Sequence, residues 1–296
     1  MLIANFGYSQ LSNVAAMQVS SVATTDDLPI TFDATANFNS SIPVSSNFPI
    51  TFQASGYTPP NYVSSGLTAY YDPANPSSYS GSGSTLTDLS GNGIDGTVVG
   101  ATYTDSTYFT LDGTNDYIVT GNCFSAISAS DTHTVEMWVY LNNVDDCLWS
   151  DLGTSNDPAT TTYHFAGSQI LQVGPFQQII TGLWNGTAIT RDVAGSGSLT
   201  GAWKNVVRTY DGTTLKGDVN ANNGGGGTAM TFDSPADPGG GGVWYLAFGA
   251  EDTTTFNSST AGWLSGRVGI MRVYNRALSS AEVTSNYNDA KSIYGL

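Results

Sequence analysis

With 296 residues the chain can bury a sizeable core in one large β domain or two smaller ones. Its 34 glycines and 16 tyrosines, against only 11% charged residues, exclude a helical bundle and suit short strands joined by turns. The net charge is −16 and all eight Lys and Arg fall between Arg191 and Lys291, so no basic cluster can neutralise phosphates and nucleic acid is excluded as a partner.

Residues 1–63 are rich in Ser, Thr, Ala and Asn and lack strong helical periodicity. Within them "LPITFDA" (Leu28–Ala34) recurs as "FPITFQA" (Phe48–Ala54). Short Pro-Ile-Thr-Phe runs spaced by polar turns bury little by themselves. The segment is therefore expected to be an extended, β-prone N-terminal arm that orders on another chain, with "YTPPNYVSSG" (Tyr57–Gly66) as its linker. The opening "MLIANFGYSQLSNVAAMQV" has neither a basic n-region nor a continuous apolar stretch, so it does not read as a signal peptide. No run of 18 apolar residues occurs, so no membrane insertion is expected.

Residues 64–296 read as an all-β domain. "YFTLDG", "DYIVTG", "HTVEMWVYL", "CLWSDLG", "TYHFAG", "QIITGLWNG", "WKNVVRTYDG", "TLKGDVNA", "VWYLAFGAE" and "GRVGIMRVY" are β-branched and aromatic runs bounded by Gly, Asn or Asp. Their spacing predicts a two-sheet antiparallel sandwich. In "TVEMWVYL", Val135, Met137, Val139 and Leu141 share one face; Glu136, Trp138 and Tyr140 share the other. Both faces are largely apolar, so this strand is expected between two layers or beneath a long loop. One short C-terminal helix follows, over about Ser280–Ser292. Ser279 and Glu282 form its capping box, Lys291 lies in its last turn and Gly295 just beyond. Val283, Tyr287 and Ala290 are expected to face the sandwich.

Catalytic signals are weak throughout. The run "DLSGNGIDG" (Asp88–Gly96) opens like a helix–loop–helix calcium site, with oxygens at Asp88, Ser90 and Asn92 and Gly93 sixth. The twelfth position should be a bidentate Glu and is Val99, so that reading fails. The two histidines, His133 and His164, lie in strand-like runs with no local nucleophile pairing. Cys123 and Cys147 cannot make a disulfide framework; they form one bridge or, as favoured, two reduced thiols.

Four segments, taken together and in order, resemble the laminin-G-like, concanavalin-A-like jelly-roll family. They are "DLSGNGIDGTVVGATY", "TLDGTNDYIVTG", "WKNVVRTYDGTTLKGDVNA" and "GRVGIMRVYNRALSSAEV". The resemblance covers about residues 67–296 and implies a jelly-roll sandwich. The stretch "LTAYYDPANPSSYSGSGSTLTDLSGNG" further resembles versions of the domain found in phage virion proteins, where it follows a short N-terminal anchor.

The Asp88 run looks like the family's turn into an early strand, with its Asp and Asn bonded to turn amides. A calcium site remains the alternative, using Asp88 and Asn92, or Asp112, Asn115 and Asp116. Retaining glycosidases of the class carry paired carboxylates on one strand. None of the three glutamates, Glu136, Glu251 and Glu282, has such a neighbour, and no enzyme is expected. The fold implies sugar binding, for which Trp184 and Trp263, beside glycines in turn-like settings, and Tyr163 are the aromatic candidates. The expected protein is a non-enzymatic phage fibre or decoration protein on the virion surface. It would assemble with other virion proteins and with itself through the arm, and touch host polysaccharide. The alternatives are a purely structural decoration or a secreted bacterial adhesin module.

Overall fold

The computed structural model describes residues 59–123, 132–144, 146–152, 164–173, 175–184, 189–222, 227–230, 245–250 and 262–296. The expected arm up to residue 58, Tyr163 and Glu251 lie outside the described residues. One compact unit runs Pro60–Leu296, and its first residues pack on the sandwich. The Tyr62 ring lies 4.5 Å from that of Tyr70, and the Val63 amide donates to Asn286 Oδ1 at 2.9 Å.

In chain order the first eight strands are β1 (Leu67–Tyr71), β2 (Thr85–Leu86), β3 (Gly96–Val99), β4 (Thr102–Thr104), β5 (Tyr108–Asp112), β6 (Tyr117–Val119), β7 (His133–Leu141) and β8 (Cys147–Leu152). Then come β9 (His164–Val173), β10 (Phe176–Trp184), β11 (Ile189–Gly197), β12 (Trp203–Tyr210), β13 (Thr214–Val219), β14 (Thr228–Ala229), β15 (Tyr245–Phe248) and β16 (Ser265–Tyr274). They make two eight-stranded antiparallel sheets. The first is ordered β14-β13-β12-β7-β16-β5-β4, with β1 also on β16; the second is β11-β10-β9-β8-β15-β6-β3-β2. This is the expected jelly-roll sandwich. Its core lies between the sheets, where Val135, Met137, Val139 and Leu141 of β7 meet Ile118, Leu246 and Phe248 of the opposite layer.

Strand β11 has no clear signature in the sequence, because "ITRDVAGSG" lacks a sustained alternation of apolar and polar residues. Tertiary contacts hold it. The Asp192 carboxylate reaches across to the first sheet and accepts from the Gly217 amide (2.9 Å) and Thr228 Oγ1 (3.0 Å).

The layer expected over β7 is the C-terminal helix α1 (Ser280–Ala290) and the 3-10 turn Lys291–Tyr294 behind it. The capping box is formed: Ser279 Oγ accepts from the Glu282 amide and Glu282 reaches back to the Ser279 amide. The α-helix ends earlier than expected, because the chain tightens into the 3-10 turn and Gly295 takes the left-handed conformation (φ 74°). Val283 and Ala290 are buried as expected. Tyr287 is only half-buried and stacks on Trp138 at 5.6 Å, while the third buried position is Asn286.

Asn286 is inside because a charge is waiting for it. Glu136, fully buried on the outer face of β7, accepts from Arg272 Nη1 (2.9 Å), Asn205 Nδ2 (3.0 Å) and Asn286 Nδ2 (2.8 Å). Arg272 lies over the rings of Tyr62 (5.5 Å) and Tyr70 (5.1 Å), so residues 60–70, three strands and the helix share one polar knot. Beside it Trp138, Trp203 and Tyr294 stack into a buried aromatic cluster, and the Tyr294 hydroxyl accepts from the Ile270 amide. A Cβ on Gly269 would stand 2.2 Å from that hydroxyl, so only glycine lets Tyr294 seat there.

Candidate functional site

The Asp88 run forms a turn that its own side chains hold. Asp88 Oδ1 accepts from the amides of Tyr70 and Ser90, each at 2.9 Å; Oδ2 accepts from Ser90 Oγ (2.7 Å) and the Ile94 amide (3.1 Å). Asn92 Nδ2 donates to the carbonyls of Leu67 and Thr68, tying the turn to β1. Gly91 (φ 87°) and Gly93 (φ 72°) supply the left-handed backbone the turn needs. This is the self-bonded turn that the resemblance implied.

The second expected oxygen set lies in the β5–β6 turn. Asp116 is buried and accepts from the Asp112 amide (3.0 Å), and burial pushes its carboxyl above the usual range. Asp112 is exposed and accepts from the Thr114 amide (2.8 Å), and Asn115 is exposed. Among the described residues no three His, Cys, Asp or Glu side chains group as a metal site.

Among the described residues, two glutamates, one histidine and both cysteines are held in the structure as follows. Glu136 belongs to the knot beneath α1, and Glu282 is bound by Arg276 at 2.6 Å. His133 is buried at the start of β7 with its ring 5.9 Å from Tyr210. Both cysteines are buried thiols outside any disulfide; burial pushes the Cys123 thiol up to about 12, far from a nucleophile at neutral pH.

Of the aromatic candidates, Trp263 is the one brought into a cluster. It is half-buried, pairs through its backbone with Ala250, and its ring lies 6.0 Å from that of Tyr117. Tyr117, Tyr245 and Trp263, all half-buried, pack together on Val119, Ala247 and Ala250. Trp184 ends β10 opposite Ile189, and its side chain lies outside the described residues, as does Tyr163.

This cluster sits on the outer face of the second sheet. Ile118, Leu246 and Phe248 point into the core, so Tyr117, Val119, Tyr245 and Ala247 point out. Cross-strand register sets Thr97, Val119, Ala247, Ser150, Gly167 and Gly182 in one row over six strands of that face. Thr97 at the end of the row is exposed, whereas Val119, Ala247, Ser150 and Gly182 are buried. Tyr117 and Tyr245 escaped sequence reasoning that looked for tryptophans in turns. The period-two alternation in "DYIVTG" and "YLAF" was the signal for them, once their inward partners were known.

An aromatic surface beside small residues can stack on the apolar faces of sugar rings. Known structures share the architecture around it. Trypanosoma rangeli sialidase with bound 2,3-difluorosialic acid aligns with 78% of this chain and 34% of its own, at 16% identity and a TM-score of 0.53. The same sialidase with 2,3-difluoro-KDN aligns over 86% of this chain and 36% of its own, at 14% identity and a TM-score of 0.54. The chain thus spans about a third of the sialidase, and at these identities the likeness is one of fold. Domain 4 of AbnA, a GH43 extracellular arabinanase from Geobacillus stearothermophilus, in complex with arabinotriose, aligns over 98% of its length and 75% of this chain, at 17% identity and a TM-score of 0.50. No curated protein matches the sequence. The profile of the concanavalin A-like lectin/glucanases superfamily, laminin G type, matches residues 112–284, more than half of the chain, and the protein belongs to that superfamily.

Proposed function

We propose that the chain is a non-catalytic glycan-binding protein of a virion surface, holding sugar on the outer face of its second sheet. The observation that carries the glycan reading is the half-buried trio Tyr117, Tyr245 and Trp263 on Val119, Ala247 and Ala250. Rings fixed by such backing lose little freedom when a pyranose stacks on them. The burial of Glu136 and the capping of Glu282 support the non-catalytic part, since a glycosidase needs two carboxylates facing its substrate.

The virion setting draws its support from the sequence: the resemblance of residues 67–93 and a nearly uncharged arm with little core of its own. In that setting weak single contacts multiply across many copies. The test is a glycan array probed with the full chain and with a Tyr245→Ala/Trp263→Ala variant of unchanged circular dichroism. Binding by the parent and its loss in the variant support the reading. An array with no hits, or equal binding by the variant, overturns it and favours a purely structural decoration. Release of reducing ends from a bound glycan would overturn the non-catalytic part. Light scattering on the full chain and on one beginning at Pro60 tests the arm: an oligomer that becomes a monomer on shortening is the expected result.

A further inference from the structure

The first sheet carries a second feature on its outer face, a row that starts at the exposed Thr102 and ends at the buried Trp203. Register lines up Thr102, Thr110, Arg267, Tyr140 and Trp203 as cross-strand neighbours over β4, β5, β16, β7 and β12. Hydroxyls lie on one side of the guanidinium and aromatic rings on the other. Arg267 is half-buried, with its Cζ 4.6 Å from the Tyr140 ring centre and 5.1 Å from that of Tyr108. The edge of Trp203 meets both rings, at 5.4 and 6.0 Å, and so fixes them around the charge.

Arg267 differs from the paired basic residues of the sandwich. Arg272 is paired with Glu136 and Arg276 with Glu282; Lys216 donates to Ser280 and Lys291 to Asn288. Among the described residues no carboxylate and no hydrogen-bond acceptor engages Arg267; its contacts are the two ring faces. Two acids near its sheet strands already accept hydrogen bonds: Asp105 takes the Tyr108 hydroxyl (2.8 Å) and Asp112 takes the Thr114 amide. A chain of net charge −16 thus holds a planar cation between rings with its donor fork unused.

We propose that Arg267 and its row form a binding subsite for the carboxylate of an acidic sugar, a uronate unit of a polysaccharide. The guanidinium fork matches a carboxylate in two parallel hydrogen bonds, and its stacking between rings orients it in advance. Thr102 and Thr110 offer hydroxyls to the sugar on one side, and Tyr140 offers a ring edge on the other. The overall negative charge does not forbid this, because salt screens charges beyond about 8 Å at physiological ionic strength. The site stands on the face opposite the Trp263 cluster and rests on the glycan-binding reading only in taking a sugar.

The experiment is calorimetric titration of the full chain with oligogalacturonate, its methyl ester and polyglutamate. Oligogalacturonate is expected to bind, with the ester weaker by about tenfold or more, the loss that follows when a charged hydrogen-bond partner is removed. Arg267→Gln should show the same loss, and Arg267→Lys a smaller one, since a lysine keeps the charge without the fork. Tyr245→Ala/Trp263→Ala should leave oligogalacturonate binding unchanged, which separates this site from the other face. No binding of oligogalacturonate, equal binding of acid and ester, or undiminished binding by Arg267→Gln each overturns the proposal. Equal binding of polyglutamate overturns the sugar class. The ester comparison needs no variant and stands even where Arg267→Gln does not fold.

Discussion

The two outer faces of the sandwich each carry an aromatic cluster, and they differ in what lies above them. Trp138, Trp203 and Tyr294 sit on the first sheet beneath α1 and the turn that follows it, and all are buried. Tyr117, Tyr245 and Trp263 sit on the second sheet and are half-buried. Residue type is the same in both places, so type alone does not separate a structural anchor from a binding surface. Cover does. The first cluster is sealed by a helix that a buried ion pair and Asn286 draw down, whereas the second keeps part of each ring accessible to a ligand.

The comparison breaks most severely at the knot beneath the helix. Glu136→Ala leaves Arg272 buried without its counter-charge, and a loss of about 3–5 kcal/mol in urea unfolding is expected. A loss under about 1 kcal/mol would show that the knot does not hold the cover.

The pH dependence of Asp72, which accepts from the Tyr70 hydroxyl beside Arg272, sharpens the same point. Burial raises its carboxyl from 3.8 to about 7, so the folded state holds the proton more tightly than the unfolded one. Its contribution to stability is therefore full below pH 3.8 and is lost as pH rises through about 7. Asp72→Asn should be more stable than the parent at pH 8, with the difference vanishing near pH 4; melting curves at both pH values decide it.

On the other face the expected cost is smaller. Trp263→Ala removes a half-buried ring and should cost about 1–2 kcal/mol while abolishing glycan binding, provided the ring is a contact rather than an anchor. A cost near that of a core tryptophan, about 3–5 kcal/mol, would make Trp263 an anchor like Trp138.

The helix cap supplies the smallest effect. Ser279→Ala should cost about 1 kcal/mol, seen as faster amide exchange in α1. Its partner Glu282 is held down to about 2 by Arg276, so its contribution is present above pH 4.5 and lost as pH falls toward 2. Glu282→Gln should remove that acid-side loss, and unchanged acid sensitivity would count against it.

Much of the fold was legible because strands with one buried face repeat every two residues. Strand β7 runs His133–Leu141 as its alternation required, and the capping box placed the start of α1 to the residue. The glycines and Asp88 of the early turn were likewise readable, since positive φ and amide-capping carboxylates have local signatures. Strand β11 was not readable, because Asp192 anchors it to residues 25 and 36 positions away. Asn286 has no local signature for burial, because the partner that draws it in, Glu136, lies 150 positions away.

The candidate sites divide the same way. Trp263 could be nominated from the glycine beside it, whereas Tyr117 and Tyr245 needed the pairing of β6 with β15 to become its neighbours. Arg267 in "GRVGIMRVY" was one basic residue in a strand; registers over five strands made it the centre of a row. Local sequence sufficed for the class of fold, the inward faces of the strands and the start of the helix, because each depends on residues a few positions apart. Which outward-facing rings are covered, which acid is locked in a knot and which rings flank Arg267 came from the folded molecule alone, because each depends on contacts between residues far apart in the chain.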